Sequence, residues 1–433
     1  MWVLFLTLLL IIFIVLIITK NDILSPSLAS MGVFTLGAFA AAINNCWGYR
    51  VTGRVNIIVI VGLLTFLTGE IVARRCFENN NKEIIYTKNK EIVINKGVLI
   101  FFIIIICITI FLQYKNMNLI ALDSGYSSNL DKNMLTFARY GVIHGNNNSG
   151  LGLTLLYYFS VSISYTSAFI LVHNTVFYKY KKIYFLYLVL ILECFILFIF
   201  NTNRILYLYF FVFCVVCYSI FYYKKNGWKE RNTIKILKKY AISFLLFFIF
   251  FNILAQILDK AGNGLFDSFN SYLGGPLVGF DIFLNGDYAS NHFWGQESLS
   301  GFYSLLNTLK IWNYSGSRNL SFIYYDNFSI NVFTSLRRYL SDFGIIGVIF
   351  IQFLLGFLIT TLYLRVKNSK NIKFIYLIYF YIFSYVIVQV FDDNFLTTFL
   401  SIDQIMTFLF LGVMYKIFIY PQLNVTGKVY EFN

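Results

Sequence analysis

The stretch NVFTSLRRYLSDFGIIGVIFIQFLLGFLITTLYLR, residues 331–365, contains the pattern that decides the fold. Its first part reads as an amphipathic helix and carries Arg337, Arg338 and Asp342. Its second part, 343–364, holds no charged residue, and about 20 apolar residues in a helix are enough to cross the hydrocarbon core of a bilayer. The stretch therefore predicts a membrane span that is entered from an interfacial helix.

Similar apolar runs recur along the chain, which is 58% hydrophobic and 12% charged over 433 residues. About a quarter of the residues of soluble domains are charged. A backbone in lipid must satisfy its own hydrogen bonds, so the runs are expected to be helices. We predict an all-α polytopic membrane protein, with 1–433 forming a single integral membrane domain of about eleven spans. The predicted spans are 2–18, 27–47, 55–73, 98–113, 151–177, 183–200, 204–223, 240–257, 343–364, 373–391 and 396–415.

The distribution of positive charge predicts the orientation, because cytoplasmic loops retain Lys and Arg. If the loop 224–239 is cytoplasmic, alternation places 23 of the 34 basic residues on that side. The N-terminus is then outside and the C-terminus cytoplasmic. We interpret the net charge of +14 as a consequence of the basic cytoplasmic loops, which also attract anionic lipid headgroups. No nucleic-acid motif accompanies the lysines, so no nucleic-acid partner is expected.

Two predicted outer segments, 114–150 and 258–342, are longer than connectors need to be. Long ordered loops usually carry function. The second, between spans eight and nine, contains short amphipathic stretches such as SGFYSLLNTLKIW (300–312), so we expect a lid or platform on the membrane surface. The chain shows no internal repeat, which argues against a transporter built from two related halves.

The spacing of Arg337, Arg338 and Asp342 suggests separate roles for the two arginines. On a helix, Arg338 and Asp342 are one turn apart and can pair, whereas Arg337 points about 100° away and stays available for an external anion. In the alternative interpretation both arginines extend to lipid headgroups.

Four outer residues are candidates for a general base: His144, His292, Glu297 and Asp342. Only a histidine titrates near neutrality without help from its surroundings. A histidine in a polar loop can equally be a solvated bystander, and Asp342 can instead cap or orient Arg338.

Three polar residues inside apolar runs are expected to be structural. Glu193 and Asp403 should face the interior of the helix bundle, since a carboxylate facing lipid is costly. His173, near the cytoplasmic end of span five, is interpreted in the same way. The six cysteines lack the spacing of a metal site or a disulfide framework, and no metal is expected.

The region around Asp342 resembles the bacterial oligosaccharide repeat unit polymerases of the Wzy type. The matching residues are Asn331, Thr334, Tyr339, Asp342, Phe343, Gly344, Gly347 and Gly356, which include the run Asp-Phe-Gly-x-x-Gly. Weaker matches, in the family's order, are SPSLASMGVFTLG (25–37), TNRILYLYFF (202–211), SYLGGPL (271–277) and WGQESLSGFYSLL (294–306).

The resemblance implies a metal-independent, inverting glycosyltransferase of the bacterial plasma membrane. Such an enzyme moves a growing glycan from its polyprenyl diphosphate carrier onto the next lipid-linked repeat unit, for O-antigen or capsule. Its implied partners are the polyprenyl diphosphate-linked oligosaccharide, membrane lipid, and a chain-length regulator and flippase of the same pathway. No cofactor is needed, and the chain contains neither a Walker loop nor a dinucleotide fingerprint.

Arginine suits the binding of a diphosphate, because its planar guanidinium binds phosphate oxygens bidentately and stays charged. The outer candidates are Arg139, Arg204, Arg318, Arg337 and Arg338. We expect Arg337, Asp342 and His292 to act in catalysis, and Arg204, Arg338 and Arg318 to bind the diphosphates. Two other functions remain open, a glycan ligase of the O-antigen type and a flippase or transporter of lipid-linked oligosaccharide.

Overall fold

The computed structural model describes residues 1–43, 49, 51–77, 90–127, 133–143, 150–226, 228, 233–257, 270–286, 294–314, 320–325, 328–398 and 400–424. The helices are α1 (Trp2–Ile18), α2 (Pro26–Ile43), α3 (Arg54–Phe77), α4 (Lys96–Asp123), α5 (Met134–Ile143), α6 (Leu151–Phe177), α7 (Tyr184–Phe200), α8 (Ile205–Asn226), α9 (Thr233–Ile257), α10 (Gly275–Asn285), α11 (Ser300–Thr308), α12 (Ser335–Asn368), α13 (Phe374–Val388) and α14 (Ile402–Met414). A π-helical turn, Tyr415–Ile419, joins α14 to α15 (Tyr420–Asn424). Strands β1 (Ile323–Tyr325) and β2 (Phe328–Ile330) pair antiparallel, with Ile323 opposite Ile330.

Within these ranges, eight helical segments are long and apolar enough to cross a membrane. They are α2, α3, α4, α6, α8, α9, α12, and α14 with its continuation. Three further apolar helices, α1, α7 and α13, are shorter than these eight. The prediction of an all-α membrane protein is confirmed, and a helix overlaps every predicted span.

The chain divides into two compact units. The first contains Met1–Lys82, Gly262–Asn368 and Ile382–Gln404. The second contains Glu83–Ala261, Ser369–Tyr381 and Ile405–Asn433.

In the first unit, α3 and α12 pack along each other with their backbones in close approach. A Cβ atom on Gly356 would lie 2.1 Å from the carbonyl oxygen of Phe66, and one on Gly69 would lie 2.2 Å from that of Phe353. Only glycine fits at these two crossing points, so the pair forms the rigid centre of the unit.

Helix α10 lies inside the first unit rather than on its surface. The residues Gly275 to Ile282 are all buried, and α10 contacts α2 and α3. The hairpin β1–β2 covers it through Val278, Ile323 and Ile330. Helix α10 is therefore buried although it is too short to span a membrane, and the lid or platform expected for 258–342 stays a prediction.

In the second unit, α4 runs past the predicted span, which ends at residue 113, and continues to Asp123. Helix α5 packs against this extension around Met117, Ala121 and Ala138. Part of the segment 114–150 is thus a pair of packed helices.

The three expected structural residues have different outcomes. Glu193 is 8% exposed and accepts a hydrogen bond from Cys107 Sγ at 3.2 Å, so its predicted burial is confirmed. His173 is fully buried, with Nδ1 3.0 Å from Asn174 Oδ1. For Asp403 the prediction is wrong, because α14 begins at Ile402 and leaves this carboxylate exposed in its first turn, where the helix dipole favours it.

Candidate functional site

The Asp-Phe-Gly run marks a break in the backbone of α12. Gly344 has φ 67° and ψ −166°, a conformation that side chains other than hydrogen strongly disfavour. It separates a first segment that carries the two arginines from a second, apolar segment of the same helix. The break sets the direction of Arg337 and Arg338 independently of the apolar segment.

Arg337 is buried, with 6% of its surface exposed. Its Nη1 donates to Glu297 Oε2 at 2.7 Å, and its guanidinium lies 4.4 Å and 4.9 Å from the ring centres of Phe283 and Phe333. Arg337 is thus paired with a carboxylate of the protein rather than with a lipid headgroup, and its role in binding an external anion stays a prediction. A buried guanidinium needs a charged partner, and Glu297 supplies it.

Arg338 is the more deeply buried of the two, at 1% exposed. Its Nε donates to Asp392 Oδ1 at 2.7 Å and its Nη2 to Oδ2 at 3.0 Å, a bidentate pair. Its Nη1 donates to the carbonyl oxygen of Glu297 at 3.1 Å. The prediction that Arg338 pairs with Asp342 is wrong. Its carboxylate partner is Asp392, which is 54 residues away along the chain.

Asp342 instead forms hydrogen bonds with the backbone of the segment that precedes α11. Its Oδ1 accepts the backbone N–H of Glu297 at 3.2 Å, and its Oδ2 accepts that of Ser298 at 2.6 Å. The ring of Trp294 packs against Phe343 at 4.9 Å and strengthens the same attachment. The carboxylate thus fixes Glu297 in front of Arg337.

Two further carboxylates, Asp392 and Asp393, contact these residues and were not predicted from the sequence. The Asp393 Oδ1 accepts the hydroxyl of Tyr339 at 2.9 Å and the backbone N–H groups of Phe395 and Leu396. Burial raises the pKa of Asp393 to about 6, with Asp392 adding to the effect and Arg338 opposing it. By contrast, the Asp392 side chain is 30% exposed. The sequence pattern that indicates such residues is a pair of adjacent acids directly after an apolar run, as in FDDNF (391–395).

We call this set the arginine–carboxylate cluster. Its members are Glu297, Arg337, Arg338, Tyr339, Asp342, Asp392 and Asp393. Of the candidate residues named from the sequence, it brings together Glu297, Arg337, Arg338 and Asp342, all in the first unit. The predicted residues His144, His292 and Arg318 lie outside the described residues.

Arg204 and Arg139 belong to the second unit. Arg204 is 3% exposed, and its guanidinium lies 5.0 Å from the ring centre of Phe251. Burial and the like charge of Arg139 lower the pKa of Arg204 to about 10. Arg204 is thus a buried cation beside an aromatic ring of α9 and is not a member of the arginine–carboxylate cluster.

No family model, curated protein or solved structure matches this chain.

Proposed function

We propose that the chain is a polymerase of lipid-linked oligosaccharide repeat units in the bacterial plasma membrane. It transfers the growing glycan from polyprenyl diphosphate to the next repeat unit at the outer face, for O-antigen or capsule biosynthesis. The observation that carries this proposal is the arginine–carboxylate cluster, which contains Asp342 of the Asp-Phe-Gly-x-x-Gly run. The eleven-span topology with an outer N-terminus is part of the same proposal.

The opposite end of α12 supports this orientation. There Asp22 accepts the hydroxyl of Tyr363 and pairs with Lys367 at 3.0 Å and with Arg74 at 3.1 Å. Basic residues gather at this end, as cytoplasmic ends do. From Gly344 to the end of α12 the helix rises about 36 Å, enough to cross a hydrocarbon core of about 30 Å. We therefore propose that the arginine–carboxylate cluster lies at the outer end of α12.

The reaction needs a group that takes a proton and groups that stabilise the departing diphosphate. A hydroxyl of the acceptor repeat unit attacks the anomeric carbon, the bond from this carbon to the diphosphate oxygen breaks, and the lipid diphosphate leaves with the electron pair. We assign Asp392 as the acceptor of the hydroxyl proton, because it is partly exposed and is held in place by Arg338. The proton is later released to water.

The departing diphosphate is assigned to Arg337, because the guanidinium of Arg338 already binds Asp392 and the carbonyl oxygen of Glu297. Since Glu297 occupies Arg337 at rest, the diphosphate binds by replacing this carboxylate. Asp342 acts as a positioning residue, because it holds the backbone of Glu297. The roles predicted for His292 and Arg318 stay predictions.

Deletion of the gene in its native host tests the function. A polymerase deletion should leave single repeat units on the cell surface. Intact polymer that accumulates on its lipid carrier would indicate a ligase instead. An unchanged surface polysaccharide would overturn both interpretations.

Replacing Asp392 by Asn tests the assignment of the base. The amide keeps the shape and one acceptor oxygen for Arg338 but cannot take a proton, so polymerisation by the purified protein should slow by about 100-fold or more. Arg54→Ala, at an exposed position of α3 in the same unit, is the matched control and should retain the wild-type rate. A wild-type rate in Asp392→Asn would remove Asp392 from the reaction.

A further inference from the structure

One carboxyl group of the second unit lies in the middle of two apolar helices that pack together. Glu193 is near the centre of α7 and is the only charged residue of that helix. Its neighbour on α4 is Cys107, and from Lys96 to Cys107 this helix rises about 16 Å, half of a hydrocarbon core of about 30 Å. Both side chains are therefore at the depth of the hydrocarbon interior.

The hydrogen bonding of Glu193 is incomplete. Its Oε1 accepts from Cys107 Sγ at 3.2 Å, and its Oε2 is buried without a hydrogen-bond partner. Ser164 of α6 contacts α7 one turn away, but its hydroxyl donates to the carbonyl oxygen of Leu190 at 3.1 Å. A thiol is a weak donor, so the carboxyl group receives little stabilisation from its surroundings.

The helices that contact α7 do not supply a counter-ion. They are α4, α6, α8 and α9. Their charged residues and their histidine are Lys96, Lys115, Asp123, His173, Lys224, Lys225, Lys235, Lys238 and Lys239. None of these residues is a partner of Glu193, and Lys115, the nearest to Cys107 along α4, is about 12 Å away along the helix axis.

Glu70, on α3 of the first unit, shows what an ionised carboxylate inside a span needs. It is fully buried, and it accepts the hydroxyl of Ser25, the backbone N–H of Ser27 and Nε of Arg74, each at 2.8 Å. Glu193 has neither a cation nor a strong donor. Its ionised form would be an uncompensated charge in the hydrocarbon interior, whereas the neutral acid avoids this cost.

The pair of Glu193 and Cys107 lies beside a surface that lipid covers. Cys107 is exposed, and about half of the surface of Ile104, Ile108 and Leu192 is exposed around it. Apolar side chains on the outside of a span face lipid tails. A small apolar reagent dissolved in the bilayer can therefore reach the carboxyl group.

We propose that Glu193 and Cys107 form a proton-binding site inside the membrane, where Glu193 is a neutral carboxylic acid that apolar reagents reach from the lipid. Loss of this proton requires water or a cation to enter between α4 and α7, so proton release is coupled to separation of these helices. The site belongs to the second unit, and it does not rest on the proposed function.

Infrared difference spectra of purified protein at neutral pH, in a detergent without ester groups, test the protonation state. Glu193→Gln should remove the band of one neutral carboxyl group and leave the bands of ionised carboxylates unchanged. Asp123→Asn, at the exposed end of α4 in the same unit, is the matched control and should remove carboxylate intensity instead. Loss of carboxylate intensity in Glu193→Gln would overturn the proposal.

Dicyclohexylcarbodiimide, added to membranes that contain the wild-type protein, tests access without any substitution. The carboxyl oxygen adds to the central carbon of the reagent, the carboxyl proton moves to a nitrogen, and the adduct rearranges to a stable N-acylurea without loss of atoms. Because exposed carboxylates are ionised at neutral pH, peptide mass spectrometry should find at least about tenfold more adduct on Glu193 than on Asp123. An unmodified Glu193, or equal modification of the two residues, would overturn the proposal.

Discussion

At the scale of single residues, the pair of Arg337 and Glu297 is expected to be sensitive to substitution. Both side chains are buried, at 8% and 9% exposed. Removal of one partner leaves the other as an uncompensated buried charge, which costs about 3–5 kcal/mol, whereas removal of both leaves no such charge.

We therefore expect Arg337→Met and Glu297→Gln each to lower the free energy of unfolding by about 3 kcal/mol. The double variant should be more stable than either single variant. Unfolding in mixed detergent micelles measures all three against the wild type. Additive losses would show that the two side chains are not coupled.

Asp393 predicts a dependence of stability on pH. Its pKa of about 6 in the folded protein lies above the value of about 3.9 expected in the unfolded chain. As the pH rises through this interval, the unfolded chain ionises first and the folded state loses stability, by up to about 3 kcal/mol. The contribution of Asp393 is fully present below about pH 4 and is lost above about pH 6.

Asp393→Asn is neutral at every pH and keeps an oxygen for the hydroxyl of Tyr339. Its thermal unfolding midpoint should rise relative to the wild type between about pH 4 and pH 7. Midpoints that run parallel over this range would contradict the raised pKa of Asp393.

At the scale of elements, the crossing of α3 and α12 depends on glycine. The Cβ atom of Gly356→Ala would lie 2.1 Å from a backbone oxygen of α3, so the two helices must separate. We expect a loss of about 1–3 kcal/mol of stability, measured as a lower unfolding midpoint. Gly32→Ala on α2 is the control, because its Cβ meets nothing within 4 Å, and it should retain or raise the midpoint. An unchanged midpoint for Gly356→Ala would contradict the close crossing.

The helices were predictable from the sequence because a span is a local property, set by the length of an apolar run. The buried position of α10 was not, because its partner α2 is distant along the chain and α10 is too short to register as a span. The predicted pairing of Arg338 with Asp342 was wrong for the same physical reason. Spacing along one helix indicates which neighbours are possible. It does not indicate Asp392, which is 54 residues away along the chain and accepts two hydrogen bonds from Arg338.

At the scale of the whole molecule, the orientation can be tested with a membrane-impermeant maleimide on intact cells. We expect Tyr324→Cys, an exposed position on β1, to be labelled from outside. The exposed natural Cys76, near the end of α3 that carries Arg74 and Arg75, should be labelled only after the cells are opened. The other cysteines are replaced by Ala in both variants. The reverse pattern would invert the proposed topology.

Under the proposed function, the charge balance of the arginine–carboxylate cluster affects how the lipid-linked substrate reaches the protein. Its two guanidiniums pair with the carboxylates of Glu297 and Asp392, so the cluster offers no excess of positive charge to act over a distance. Electrostatic steering through water is then weak, and it would in any case be screened within about 10 Å at 0.1 M salt. A lipid-anchored substrate would instead meet the protein by lateral diffusion within the leaflet, at a frequency set by its surface density and by membrane fluidity, and almost unaffected by ionic strength.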